Sequence, residues 1–111
     1  MRNEFLYVFG YESPEERASN RDYEGDFEST GFFWIIANSE DEALSWGQEL
    51  SKWYTRLLFG ENEEQQWQVN WFASWIENSP DKELEKAAKQ LRPITVGEFP
   101  DFENVKLAFS D

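Results

Sequence analysis

A chain of 111 residues with 23 acidic and 10 basic side chains, a net charge of −13, and no cysteine or histidine is long enough for one domain with its own core. It has no disulfide or thiol chemistry, and it lacks the commonest general base and zinc ligand. Its charge repels nucleic acid and anionic membranes, whose affinity comes from lysine and arginine neutralising phosphate.

Ten phenylalanines, six tryptophans and four tyrosines exclude disorder as a description of the whole chain. A single globular domain over residues 1–111 is expected, with a long acidic connection at 12–30. Met1-Arg2-Asn3-Glu4 leads into only a short apolar run, without signal-peptide architecture or a stretch long enough to cross a bilayer. A soluble cytoplasmic protein is the expectation.

In chain order, Glu4 to Glu12 predicts a first strand. Phe5, Tyr7, Phe9 and Tyr11 alternate with Leu6, Val8 and Gly10, so both faces are apolar, as in a central strand. Ser13-Pro14-Glu15-Glu16 then opens one or two helical turns, with a serine–glutamate capping box and proline at the first helical position. Asp22, Glu24, Asp26 and Glu28 alternate with Tyr23, Gly25 and Phe27. An extended chain there puts four carboxylates on one side and two rings on the other.

The stretch from Gly31 to Gly60 is the most legible. Phe32 to Ile36 is an unbroken aromatic and β-branched run, the composition of a strand covered on both faces. Ser39 and Glu42 form a second capping box, and Glu40, Asp41 and Glu42 sit at the positive end of the helix dipole. Ala43, Trp46, Gly47, Leu50, Trp53, Tyr54, Leu57 and Leu58 then recur on one helical face; Gln48, Glu49, Lys52 and Arg56 lie opposite. This places both tryptophans on the buried side. Gly47 on that side lets helix and sheet approach closely, and Gly60 is a natural stop.

Trp67, Val69, Trp71, Ala73 and Trp75 occupy alternate positions up to Ile76, which predicts a strand. A helical alternative exists because the tryptophans lie four apart, but it places Gln68 in the apolar arc. Ser79 caps a second helix with Pro80 at its first position. Its stripe is Leu84, Ala87, Ala88 and Leu91, and it ends before Pro93. Ile94 to Phe99 reads as a short strand. Gly97, Pro100 and Asp101 mark a turn, and Val105, Leu107 and Phe109 alternate as a last strand. The fold class is α+β: a single sheet of four to five strands in β-β-α-β-α-β order, with two main helices packed on one face. The strand-helix-strand from Phe32 to Ile76 makes a right-handed crossover if its strands are parallel.

Candidate chemistry is sparse. A glycosidase needs two carboxylates at a set separation, but with 23 acids some pair is suitably spaced by chance. Counted from Asp22, glycine falls at position four and Phe33 at position twelve, whereas a calcium-binding EF-hand needs glycine at six and glutamate at twelve. No glycine-rich phosphate loop or G-x-S-x-G turn occurs. Lys52, Lys82, Lys86 and Lys89 look too solvated for activation. No catalytic residue, metal or cofactor is expected.

In general character, as a small, acidic, aromatic single domain without catalytic side chains, the chain resembles bacterial immunity or antitoxin-type proteins, which block a basic toxin by charge complementarity. The resemblance implies a non-catalytic module with a basic protein partner. Asp22, Glu24, Asp26 and Glu28 would steer that partner, with Tyr23 and Phe27 as anchoring rings. One alternative is a homo-oligomer using Phe72 and Ile76. Another is a carboxylate enzyme or carbohydrate binder.

Overall fold

The computed structural model of the chain describes residues 3–25, 28–59 and 73–109. Its elements run β1 (Asn3–Tyr11), α1 (Pro14–Tyr23), β2 (Ser29–Ala37), α2 (Glu40–Phe59), β3 (Ser74–Glu77), α3 (Lys82–Ala88), β4 (Ile94–Thr95) and α4 (Phe102–Phe109). The four strands form one mixed sheet in the order β3-β1-β2-β4, so the fold is α+β, as the patterning predicts. β1 is antiparallel to both β2 and β3, and β4 runs parallel to β2. The doubly apolar β1 is indeed central.

Alternation along β1 and β2 decides what each face packs against. Tyr7, Phe9, Tyr11, Phe33, Ile35 and Ala37 point to one face, where Ala43, Leu50 and Tyr54 of α2 complete the main core. Burying each such large side chain contributes about 1.5–3 kcal/mol. Gly47 of α2 faces the Tyr7 ring so closely that an added Cβ would run into it, which is the close approach its position predicts. The Ser51 hydroxyl donates to the Gly47 carbonyl at 2.9 Å, so the Tyr7 hydroxyl, 2.6 Å away, donates to Ser51. A buried polar pair is thereby satisfied between helix and sheet.

The second helix is not on that face. Leu84, Ala87, Ala88 and Leu91 pack against Leu6, Val8 and Phe32 on the opposite side, correcting the expectation of two helices on one face. Sheet order supplies the reason. From β2 the chain crosses over α2 to β3 at one edge; from β3 it returns to β4 at the other edge. Two crossovers that run in opposite directions keep the same hand only on opposite faces, and a single hand is strongly preferred.

Three local expectations also change. The helix after Pro80 begins later, with Asp81 rather than Ser79 as its cap, its Oδ1 accepting from the Leu84 N–H at 2.7 Å. The Ile94–Phe99 strand shrinks to Ile94–Thr95, because Thr95 and Glu98 close a turn with a 2.9 Å backbone bond. Gly97 in that turn has φ +94°, a conformation that favours glycine. The expected last strand is a helix: Val105 and Phe109, one turn apart, face inward, and Leu107 points out with 72 % exposure. The Phe109 ring touches both Phe32 and Phe33, neighbours on opposite faces of β2. It therefore wraps the β2 edge that the short β4 leaves uncovered. Of the strand expected up to Ile76, Ser74–Glu77 is present and residues 67–72 lie outside the described set. Ile76 packs into the main core and so is not a free surface, while Phe72 is outside the described residues.

Candidate functional site

The acidic connection is helical as far as Tyr23, so the start of its Asp22–Glu28 stretch is not extended. Ser13 and Glu16 make a complete capping box, with bonds of 2.8 and 3.1 Å. The helix they start runs through Asp22 and Tyr23, past the one or two turns expected, and stops at Glu24 in the left-handed region with φ 53°. Once the helix has formed, the two-residue period of Asp22 and Glu24 no longer defines a face. Asp22 pairs with Arg21 at 3.2 Å on the surface, and Tyr23 is 81 % exposed. Glu28 lies beyond α1, with its side chain over Gly10 of β1. Asp26 and Phe27 fall outside the described residues. The six predicted partner-binding residues are therefore not brought together as one strip by the described chain.

Another surface collects aromatic rings and carboxylates together. Glu42, Trp46, Glu49 and Trp53 recur at four-, three- and four-residue intervals along α2, which keeps them on one narrow stripe of the helix. The capping of α2 is shared: the Ser39 hydroxyl accepts from the Glu42 N–H at 3.2 Å, while Glu42 Oε1 accepts from the N–H of Asn38, one residue upstream of the expected Ser39. Against this stripe stands the turn after β4. The Trp46 indole N–H donates to the Glu98 carbonyl at 3.0 Å and ties that turn to the helix. Phe99 then reaches both indoles, with ring centroids 5.3 Å from Trp46 and 5.9 Å from Trp53.

The result is an open shelf of about 650 Å³, with Ser45 and Val96 completing its lining. Phe99 is 54 % and Trp53 39 % exposed, so large aromatic surface faces solvent where the sequence placed Trp53 in the core. Glu49 Oε1 accepts from the Trp53 indole N–H at 3.3 Å. One oxygen of Glu42 and one of Glu49 are thus engaged within the chain. The other oxygen of each carries no hydrogen bond among the described residues. Arg56 completes the stripe, its guanidinium carbon 5.3 Å from the centre of a Trp53 ring.

A larger groove, about 760 Å³, runs beside β4 and shares Phe99 as a wall. Both carboxylates on its rim are engaged within the chain: Glu98 Oε1 accepts from the Thr95 N–H, and Asp101 Oδ1 accepts from the Glu103 N–H at the start of α4. That groove is a packing seam between the sheet edge and α4. The buried polar side chains among the described residues, Ser51 and Thr55, bond to carbonyls of their own helix and act structurally. The shelf, in contrast, offers π faces and carboxylates to solvent, which suits a cation bearing flat or apolar groups.

The shelf had one sequence signal. The apolar positions of α2 span about 140° at 100° per residue, wider than the stripe a core-facing helix requires. Trp53, Trp46 and Leu57 form one margin of that arc, next to Glu42 and Glu49; Trp53 and Leu57 are exposed, and Trp46 is half-buried against the edge of the main core. Comparison with protein-family models, curated proteins and solved structures finds no match at any of the three levels.

Proposed function

We propose that this chain is a non-catalytic acidic binding module that docks a basic protein partner, in the manner of an immunity or antitoxin-type protein. The observation that carries the reading is the shelf of Trp46, Trp53 and Phe99 bordered by Glu42 and Glu49, on a chain of net charge −13. Exposed aromatics of this kind anchor interfaces, and surrounding carboxylates orient and accelerate the approach of a basic protein. The acids of the α1 end, Asp22, Glu24 and Glu28 with Asp26, belong to the steering field, with Tyr23 and Phe27 as secondary contacts. No membrane or nucleic acid enters this reading. Among the described residues no helix is long and apolar enough to cross a membrane.

The test is affinity capture from lysate of the source cell at low and moderate salt. It uses wild type and a Trp53→Ala, Phe99→Ala double variant. A basic protein retained by wild type at low salt, released as salt rises and lost from the double variant supports the reading. Equal retention by both proteins contradicts the shelf as anchor, and absence of any basic protein contradicts the partner class.

A further inference from the structure

We infer that the shelf is specific for arginine, and that it receives two arginine side chains about 10 Å apart on a helix of the basic partner. This rests on the binding reading above and adds the chemistry of recognition. The shelf repeats one carboxylate–indole pair along α2, with Trp46 half-buried against the core and Trp53 more exposed. Glu42 with Trp46 forms the first bay, and Glu49 with Trp53, seven residues on, forms the second; Phe99 stands between the indoles. Seven residues along a helix correspond to about 10.5 Å at 1.5 Å per residue. A partner helix lying along α2 with arginines at i and i+7 matches this spacing.

Each bay pairs an indole with a carboxylate, one oxygen of which carries no hydrogen bond among the described residues. A guanidinium uses both at once, its plane stacking on the indole and its N–H groups forking onto the carboxylate. An ammonium presents a compact, strongly hydrated charge and makes less of the ring. The protein already contains one guanidinium–indole contact: Arg56 lies over Trp53, its guanidinium carbon 5.3 Å from the ring centroid. Arg56 is therefore an internal competitor at the second bay, and the partner's arginine displaces it or shares the ring with it.

The experiment titrates the full chain, labelled with ¹⁵N, with two capped alanine-rich helical peptides. One carries arginines at i and i+7, the other lysines at the same places, at equal ionic strength. The indole N–H signals of Trp46 and Trp53 report on the shelf, and those of Trp34 and Trp75 serve as controls on the opposite face of the sheet. The arginine peptide is expected to bind at least about threefold more tightly than the lysine peptide, a ratio within the usual strength of an exposed cation–π contact, and to move the shelf signals selectively. Arg56→Gln is expected to tighten arginine-peptide binding about twofold. Equal affinity for the two peptides, or shifts that spare Trp46 and Trp53, would overturn the inference. If basic proteins are still captured in that case, the binding reading stands without it. If neither peptide binds and no basic protein is captured, the binding reading fails as well.

Discussion

Gly47 and Tyr7 show how one missing side chain sets the distance between helix and sheet. A Gly47→Ala change would normally favour a helix by about 1 kcal/mol. Here the new methyl group meets the Tyr7 ring, which is fully buried and tied to Ser51. Overpacking of this kind costs about 1–3 kcal/mol, so the variant is expected to be less stable by roughly 1 kcal/mol. Urea denaturation checks this, and a raised midpoint would mean that the ring moves aside freely. The tyrosine hydroxyls give a second test. Burial pushes Tyr7 above the ordinary tyrosine range, with the Ser51 hydrogen bond opposing it in part. Tyr54 is raised by burial and then by the Tyr11 hydroxyl, and Tyr11 is raised chiefly by burial. With folded values above the unfolded ones, their protonated forms favour the fold. That contribution is intact below about pH 10. Above it the unfolded chain loses protons first, and stability falls by up to about 1.4 kcal/mol per pH unit for each group. Ultraviolet titration of these three hydroxyls should therefore coincide with loss of far-ultraviolet dichroism. Ionisation of all three with the fold intact would contradict their burial.

At the scale of elements, α4 separates two readings of one sequence. Val105, Leu107 and Phe109 share a face in a strand, but in a helix Leu107 turns away. Phe109 lies within ring contact of Tyr54 at 5.2 Å and Phe32 at 4.8 Å. Phe109→Ala is therefore expected to cost about 3 kcal/mol, while Leu107→Ala stays within about 0.5 kcal/mol. Thermal or urea unfolding of the two variants distinguishes them, and similar losses would favour the strand. The same eight residues explain the limits of legibility. V-x-L-x-F fits a two-residue period, yet Val105 and Phe109 also fit a helical turn, and packing at the bare β2 edge selects the helix. Asp81 prevails over Ser79 because its carboxylate reaches the Leu84 N–H. β1, β2 and α2 were legible because each is long enough to display its period. The face taken by α3 was not, because it depends on the strand order, which no local pattern encodes.

For the whole molecule, sheet order and charge act together. Opposed crossovers put α2 and α3 on different faces, so among the described residues the outer stripe of α2 has the β4–α4 turn against it and forms the shelf. Composition made the acidity and aromatic load plain, but it pointed to the connection at 12–30, where a helix disperses Asp22, Tyr23 and Glu24. The margin of the α2 arc is where Trp53 stays exposed beside Glu49. The two acidic regions are expected to act on different rates. Asp22→Asn, Glu24→Gln, Asp26→Asn and Glu28→Gln together should slow association with a basic partner severalfold and flatten its salt dependence, since peripheral charges steer encounter. Stopped-flow association at several ionic strengths checks this, and an unchanged rate would remove those residues from the interface. The central claim is tested most directly by isothermal titration of the captured partner into wild type and into Trp53→Ala, Phe99→Ala, with both proteins confirmed folded by dichroism. A loss of about tenfold or more in affinity, appearing mainly as faster dissociation, is the expected result for anchoring aromatics. Equal affinity for the two folded proteins would contradict the shelf as the binding surface.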